Sequence, residues 1–328
     1  MAILITGGAG YIGSHMVLAA LERGEKVVVL DDLSTGNRGL VAEEAVFVEG
    51  NAGDQPLVAA LIAQHEIDAI IHFAGSIVVP ESVEQPLAYY ANNTAVARNL
   101  IETAVDSGVA NFIFSSTATV YAGESPGLLC ESLPTGPASP YGRSKLMTEW
   151  ILEDAARAYD FRQLTLRYFN VAGADPKGRT GQSSPRATHL IKRGCQVALG
   201  RVPHLDIFGT DYPTPDGTGI RDYIHVTDLV TAHVLGLDYL RAGGASTVMN
   251  CGYGHGASVR EVIAAIARVS GTKLSAREAP RRAGDPPSLV ADVSRIRQTL
   301  PWTPQHDDLE EIIGHALQWE RRLNSAQK

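Results

Sequence analysis

Short, unbroken apolar runs alternate with stretches of helical periodicity through the first half of the chain. Ile3-Leu4-Ile5-Thr6, Val27-Val28-Val29-Leu30, Ala45-Val46-Phe47-Val48, Ala69-Ile70-Ile71-His72-Phe73 and Phe112-Ile113-Phe114-Ser115 read as strands. Between them, Gly13 to Arg23, Pro56 to His65 and a long stretch from about Ala88 to Gly108 read as helices. Strands that are apolar at successive positions, not at every second one, belong to a parallel sheet covered on both faces. The predicted fold is α/β, a Rossmann-type doubly wound parallel sheet.

After about Asn170 the texture changes. Three polar, Gly- and Pro-containing loops, 175–184, 212–219 and 281–288, are separated by helical patterns near His189–Gly200 and Val259–Ser270. Long loops in compact proteins are often binding loops. The pattern predicts a first domain over residues 1–170 and a smaller, loop-rich α/β lobe over 171–328, with segments near 220–235 returning to the first domain. The end, 324–328, is expected to fray.

Composition narrows the function classes. The 328 residues suffice for one large domain or two lobes. Twenty-eight basic against 36 acidic residues leave a net charge of −8, which argues against nucleic acid as a partner. Cys130, Cys195 and Cys251 are widely spaced with no Cys-x-x-Cys pair, so neither a metal site nor a disulfide framework is expected, and a cytoplasmic location fits. The chain runs straight into its first strand and has no apolar run of about 18 residues, so neither a signal peptide nor a membrane span is expected.

The first strand leads into Gly7-Gly8-Ala9-Gly10-Tyr11-Ile12-Gly13, where Gly8, Gly10 and Gly13 match G-x-G-x-x-G. Absent side chains let the backbone turn tightly and approach a pyrophosphate, and the following helix offers free N–H groups at the positive end of its dipole. Asp31 ends the second strand, 18 residues past Gly13. A carboxylate there accepts from a ribose 2′-OH and repels a 2′-phosphate, which favours NAD over NADP. A glycine-rich turn alone is weak evidence; strand, turn, helix, strand and acid in order make a dinucleotide site the better reading.

Tyr141 and Lys145 stand four apart behind Pro140, at the start of a helical pattern, so they share a face. A nearby ammonium favours phenolate over phenol, and an oxidised nicotinamide adds positive charge, so Tyr141 is expected to act as a base nearer neutral pH. Ser115-Ser116-Thr117 closes a strand at the sheet edge where such folds bind ligands. By itself Tyr-x-x-x-Lys is most often a solvated helix pair. Downstream of a dinucleotide turn and a Ser/Thr-ended strand, it reads as catalytic.

Together these segments resemble the extended short-chain dehydrogenase/reductase family, and within it the UDP-hexose 4-epimerases. The resemblance covers nearly the whole chain. It includes Ile71-His72-Phe73-Ala74-Gly75, Leu166-Arg167-Tyr168-Phe169-Asn170, Gly209-Thr210-Asp211-Tyr212-Pro213-Thr214 and the run from Asp216 to Val226. It implies interconversion of UDP-galactose and UDP-glucose through a transient 4-keto sugar, with tightly bound NAD as hydride carrier. Tyr141 is then the base, Thr117 shares its proton and Lys145 binds the nicotinamide ribose. The implied NAD site takes in Gly7, Gly10, Tyr11, Ile12, Gly13, Asp31, Asn51, Phe73, Ala74, Gly75, Asn92, Tyr141, Lys145, Tyr168 and Phe169. The implied UDP-sugar site takes in Thr117, Tyr141, Asn170, His189, Leu190, Phe208, Arg221, Arg282 and Asp285, with Phe208 under the uracil and the two arginines toward the diphosphate. A homodimer is also implied, through the helices after Ala88 and Tyr141.

Some positions depart from the family pattern. Asn51 replaces an Asp at the adenine, Ile77 replaces a lysine near the cofactor, and Leu289 replaces a tyrosine, which suggests room for a 2-acetamido sugar. Related dehydratases carry an Asp-Glu pair where this chain reads Thr117-Ala118-Thr119-Val120, so dehydration lacks an evident acid and base. Decarboxylating relatives, a net dehydrogenase and a non-catalytic NAD sensor are lesser alternatives.

Overall fold

The computed structural model describes residues 1–123, 127–184, 187–282 and 285–325. Seven strands form one sheet: β1 (Ala2–Thr6), β2 (Lys26–Asp31), β3 (Val46–Glu49), β4 (Ile67–His72), β5 (Asn111–Thr117), β6 (Arg162–Tyr168) and, after four strands outside the sheet, β11 (Thr247–Cys251). Their order is β11-β6-β5-β4-β1-β2-β3, and every pairing is parallel. The chain therefore reverses direction across the sheet between β1 and β4, the place where doubly wound sheets open a crevice at the strands' carboxyl ends. Register aligns those ends: Thr6 lies opposite His72, and Thr117 opposite Tyr168.

Helices α1 (Tyr11–Glu22), α2 (Gln55–His65), α3 (Val79–Glu84), α4 (Pro86–Tyr89), α5 (Val96–Asp106) and α6 (Pro140–Ala158) belong to the first half. The second half contributes α7 (Leu190–Ala198), α8 (Val226–Arg241), α9 (Val259–Ser270), α10 (Ser294–Thr299) and α11 (Leu309–Ser325). One sheet face is covered by α2, α5 and α6 through Val58, Leu61, Leu100, Ile101 and Leu152. The other packs on α1 and α8 through Met16, Val17, Leu229, Val230 and Leu237, and this core continues unbroken into the second half. Polar caps fix the helix starts. Ser139 accepts from Gly142 N (3.1 Å) ahead of Pro140, and Ser258 and Glu261 form a capping box ahead of α9.

The remaining strands make small pairings: β7 (Asn170–Ala172) with β10 (Tyr223–His225), β8 (Leu205–Phe208) with β13 (Ala276–Ala279), and β9 (Ile220–Arg221) between β12 (Ala257–Ser258) and β14 (Ser288–Leu289). Residues 226–251 return to the large sheet as α8 and β11, a longer return than the one expected near 220–235, and the hydrophobic pattern delimits neither element. The reason lies in α8, which is buried on most sides and carries Asp228 and His233 inside, so it has no clean apolar stripe. Of the loop expected over 281–288, Ala283 and Gly284 lie outside the described residues, as do 326–328 of the end expected to fray.

The single helix expected from Ala88 to Gly108 is broken. Between α4 and α5 a π-helical turn spans Tyr90–Ala95. Its wider coil turns Asn92 and Asn93 toward the loop after β4. Asn92 Nδ2 donates to Ser76 Oγ (2.9 Å), while Asn93 accepts from Ser76 N (2.8 Å) and donates to Ser144 Oγ (3.0 Å). Such turns cluster at functional sites.

Four histidines are fully enclosed: His15, His72, His225 and His233. Burial pushes His15 and His233 down to about 4 and His72 to about 3. His225 falls to about 2 because the neighbouring His306 and His315 add to burial. His225 Nδ1 accepts from Thr227 N (3.0 Å), so its proton sits on Nε2, 3.1 Å from His315 Nδ1. All four rings are neutral in the fold, whereas the unfolded chain protonates them near pH 6.5. Their contribution is complete above that pH and is lost as pH falls toward each folded value. Thermal unfolding at stepped pH is expected to show the midpoint falling steadily between pH 6.5 and 4. His233→Phe is expected to flatten that slope by about one proton, roughly 1.4 kcal/mol per pH unit.

Candidate active site

Three glycines of the turn after β1 each have their own reason. Gly7 has φ +71°, and a methyl group there would stand 2.6 Å from Ala74 N. At Gly13 a methyl would stand 2.1 Å from Gly7 O, because α1 is drawn hard against the turn. A methyl on Gly10 would meet only Gly7 O, at 3.2 Å, so its other sides are open. Gly10 caps α1 with bare backbone, which leaves the first-turn N–H groups of Tyr11, Ile12 and Gly13 to an outside acceptor. That is the cradle a pyrophosphate fits. Tyr11 turns its hydroxyl away, donating to Gly173 O (2.8 Å).

Asp31 braces this turn. One of its oxygens accepts from Ala9 N and the other from Leu33 N, both at 2.9 Å. Each oxygen keeps a second lone pair, so a ribose hydroxyl can still be accepted. Asn51 is exposed at the end of the next strand, where its Oδ1 closes a turn onto Gly53 N (2.7 Å). Phe73, Ala74 and Gly75 leave β4 half-buried along the same edge, and Phe73 packs on His233 with ring centres 4.9 Å apart. A methyl on Gly75 would press on Asn93 Oδ1 (2.9 Å) and Lys145 Nζ (3.7 Å). The chain thus supplies an anion cradle, a carboxylate and an apolar wall in the order a dinucleotide needs.

Across the crevice, α6 brings Tyr141 and Lys145 against the end of β5. Both are buried, as is Thr117. Lys145 Nζ donates to Ser115 O (3.0 Å) and lies 4.9 Å from the centre of the Phe114 ring. Tyr141 shares a hydrogen bond with Thr117 and meets the Tyr89 ring edge-on at 6.5 Å. Tyr168, at the end of β6, hydrogen-bonds Ser115, and Phe169 packs beside Leu146.

Burial sets the resting state of this pair. Burial pushes the Tyr141 phenol up to about 12, and the Thr117 hydrogen bond only partly opposes this. Burial also lowers Lys145 to about 8, while Glu149 works to raise it. Among the chain's own groups desolvation outweighs attraction, so the lysine does not bring the tyrosine near neutral.

The residues expected at a diphosphate and uridine form a second cluster beyond the crevice. Arg221 pairs with Asp285 (2.6 Å), and the Arg282 guanidinium lies 3.9 Å over the Phe208 ring. Asn170 starts β7, its N–H bound to Asp222 O (2.9 Å). His189 caps α7 and Leu190 is its first residue. Leu289, in β14 beside Arg221, packs with Val120, Tyr121 and Leu146, close to the Tyr141 helix. Ile77 is exposed at the rim. Sequence reasoning passed over Asn93, His233 and the buried pair Glu149–Arg167. Of these, only Glu149 had a signal, its four-residue spacing from Lys145.

The sequence profile of the NAD dependent epimerase/dehydratase family matches residues 3–252. The chain belongs to that family. Among its members, the UDP-glucose 4-epimerase of Azospirillum brasilense is 55% identical over 324 residues, 99% of this chain and 93% of that one. Two solved relatives superpose closely. The UDP-glucose 4-epimerase of Stenotrophomonas maltophila, with NAD and formylated UDP-arabinopyranose bound, gives a TM-score of 0.96 at 39% identity, covering 99% of each chain. The UDP-Glc/GlcNAc 4-epimerase of Campylobacter jejuni gives 0.86 at 48% identity, covering 98% of this chain and 99% of that one. The extended short-chain dehydrogenase/reductase fold and the epimerase family are thereby both established for this chain.

The two family glycines should respond differently to alanine. Gly13→Ala forces α1 off its turn and is expected to cost roughly 1–3 kcal/mol, as overpacking does. Gly10→Ala, with a single tight contact of 3.2 Å to Gly7 O, is expected to cost less than Gly13→Ala, about 1 kcal/mol. Urea unfolding of both variants measures the difference.

Proposed function

We propose that this chain interconverts UDP-galactose and UDP-glucose by inverting C4, with NAD held as a resident cofactor. The observation that carries the reading is the buried Thr117–Tyr141–Lys145 set at the carboxyl end of β5, facing the bare-backbone turn before α1. Tyr141 takes the 4-hydroxyl proton, and Thr117 orients that hydroxyl through the bond it shares with the phenol. NAD, held by the turn before α1, Asp31 and Lys145, would supply a reversible hydride acceptor for C4. Because burial holds the phenol up near 12, Tyr141 becomes a base only under positive potential. Lys145 supplies part of it and holds the ribose; the oxidised ring supplies the rest. Phe73, Tyr168 and Phe169 exclude water beside the ring.

Arg221, Arg282 and Asn170 take the diphosphate, Phe208 the uracil and Asp285 the uridine ribose, with His189 and Leu190 closing over the sugar. Guanidinium forks suit this task through paired hydrogen bonds. Residues 1–170 with 226–251 form the cofactor half, and the rest the UDP-sugar half. Leu289 supports a second reading, acceptance of 2-acetamido sugars, because a branched aliphatic packs on the cluster of Val120, Tyr121 and Leu146, next to the catalytic helix, where the family resemblance expects a larger ring.

No helix among the described residues is long and apolar enough to cross a membrane. Free Cys130, Cys195 and Cys251 suit a reducing cytoplasm. A homodimer is supported by exposed apolar residues on adjoining helices: Val83 and Leu87 (80% exposed) from α3 and α4, Met147 and Trp150 (53% exposed) from α6.

Purified protein with UDP-galactose and no added NAD is expected to form UDP-glucose without accumulating NADH. Tyr141→Phe should reduce turnover by about 10²–10⁴-fold. Absence of product from NAD-loaded protein would refute the assignment. In the same assay UDP-GlcNAc is expected to turn over, and Leu289→Tyr to abolish that activity while sparing UDP-galactose; an inert wild type toward UDP-GlcNAc removes the second reading. Sedimentation should show a dimer that Leu87→Glu with Trp150→Glu converts to monomer; a monomeric wild type rules out the dimer.

A further inference from the structure

Glu149 occupies the third position of the buried stripe Tyr141, Lys145, Glu149 on α6, one helical turn past the lysine. It is 5% exposed and fully engaged. Arg167 of β6 donates to it from Nε (3.1 Å to each oxygen) and Nη2 (2.5 Å), and Ser116 of β5 donates its hydroxyl to it. Ser116 lies between Ser115, whose carbonyl receives Lys145, and Thr117, which bonds Tyr141. Arg167 is itself buried, with its guanidinium 4.9 Å over the Tyr121 ring, and Tyr121 is anchored by Asn250 (2.6 Å).

A buried ammonium with one carbonyl acceptor is poorly compensated, since burial disfavours the charged form. The groups facing Lys145 are the neutral His72 imidazole of β4, the Phe114 ring and Ser115 carbonyl of β5, and Tyr141 and Glu149 of its own helix. Glu149 carries the negative charge in that set, and Arg167 fixes where that charge stands.

We propose that Glu149, clamped by Arg167 and Ser116, is a positioning residue that keeps Lys145 charged and holds the Ser115–Thr117 end of β5 against the catalytic helix. The proposal rests on the reading of Tyr141 and Lys145 given above. Burial takes Lys145 down to about 8 against the pull of Glu149. Removing the Glu149 charge therefore lowers Lys145 further, and removing the Arg167 charge raises it.

The test is the pH profile of epimerase turnover in NAD-loaded protein. Glu149→Gln is expected to move the alkaline limb to lower pH by about one unit. Arg167→Met, which removes the positive charge of the clamp, is expected to move it the other way. Opposite displacements cannot come from general damage, which scales activity at every pH. Uniform losses with unmoved limbs in both variants would overturn the proposal, while an inactive wild type would overturn the functional reading instead. If either variant does not fold, wild-type protein carrying 13Cε-lysine decides, with the Lys145 signal assigned by its loss in Lys145→Met. A Lys145 that keeps its proton above pH 7.5 supports the proposal, and one already neutral by then overturns it.

Discussion

The structure depends on how closely α1 is drawn onto the end of β1. The backbone of Gly13 packs so near Gly7 that no side chain fits between them. That approach aims the first-turn N–H groups into the crevice, fixes Asp31 through Ala9, and carries Tyr11 across to Gly173 in the second half. It also lays α1 against α8, so that the part of the chain returning to the sheet is aligned by the same contact. A constraint made of absent side chains thus sets the relation between the turn, the sheet edge and the second half.

The opposite wall of the crevice is governed by a tension between charge and burial. Tyr141 and Lys145 lie where water does not reach, which favours phenol and amine over phenolate and ammonium. A hydroxyl, a carbonyl, an aromatic face and a paired carboxylate oppose that preference without cancelling it. Each group alone is modest; their value is that they are already in place before any ligand arrives.

Much of this was legible in the sequence. The unbroken apolar runs gave the parallel sheet, because each strand is enclosed on both faces, and the glycine turn with Asp31 marked one edge of the crevice. Tyr141 and Lys145 were found by spacing, and Thr117 was singled out from the strand end Ser115–Thr117 by the family resemblance; the structure brings all three together. What stayed hidden was set by tertiary contacts. The π-helical turn exists because Asn93 bonds Ser76 and Ser144, far from it in sequence. Helix α8 left no stripe because both the sheet and the second half enclose it. The high pKa of Tyr141 depends on how completely the helix and sheet shut out water, which no spacing reports.

The pairing of Arg221 with Asp285, and of Arg282 with Phe208, has a further consequence. These arginines are not bare positive charges waiting for an anion. Each already has a companion that an incoming molecule must replace with something as good. A lone inorganic anion offers the guanidinium a partner but nothing to the carboxylate or the ring. A molecule that joins phosphates, a ribose and a flat base can exchange all of these contacts at once. For the nucleotide proposed above, the cluster therefore rewards a ligand that replaces every companion at once over one that replaces a single contact.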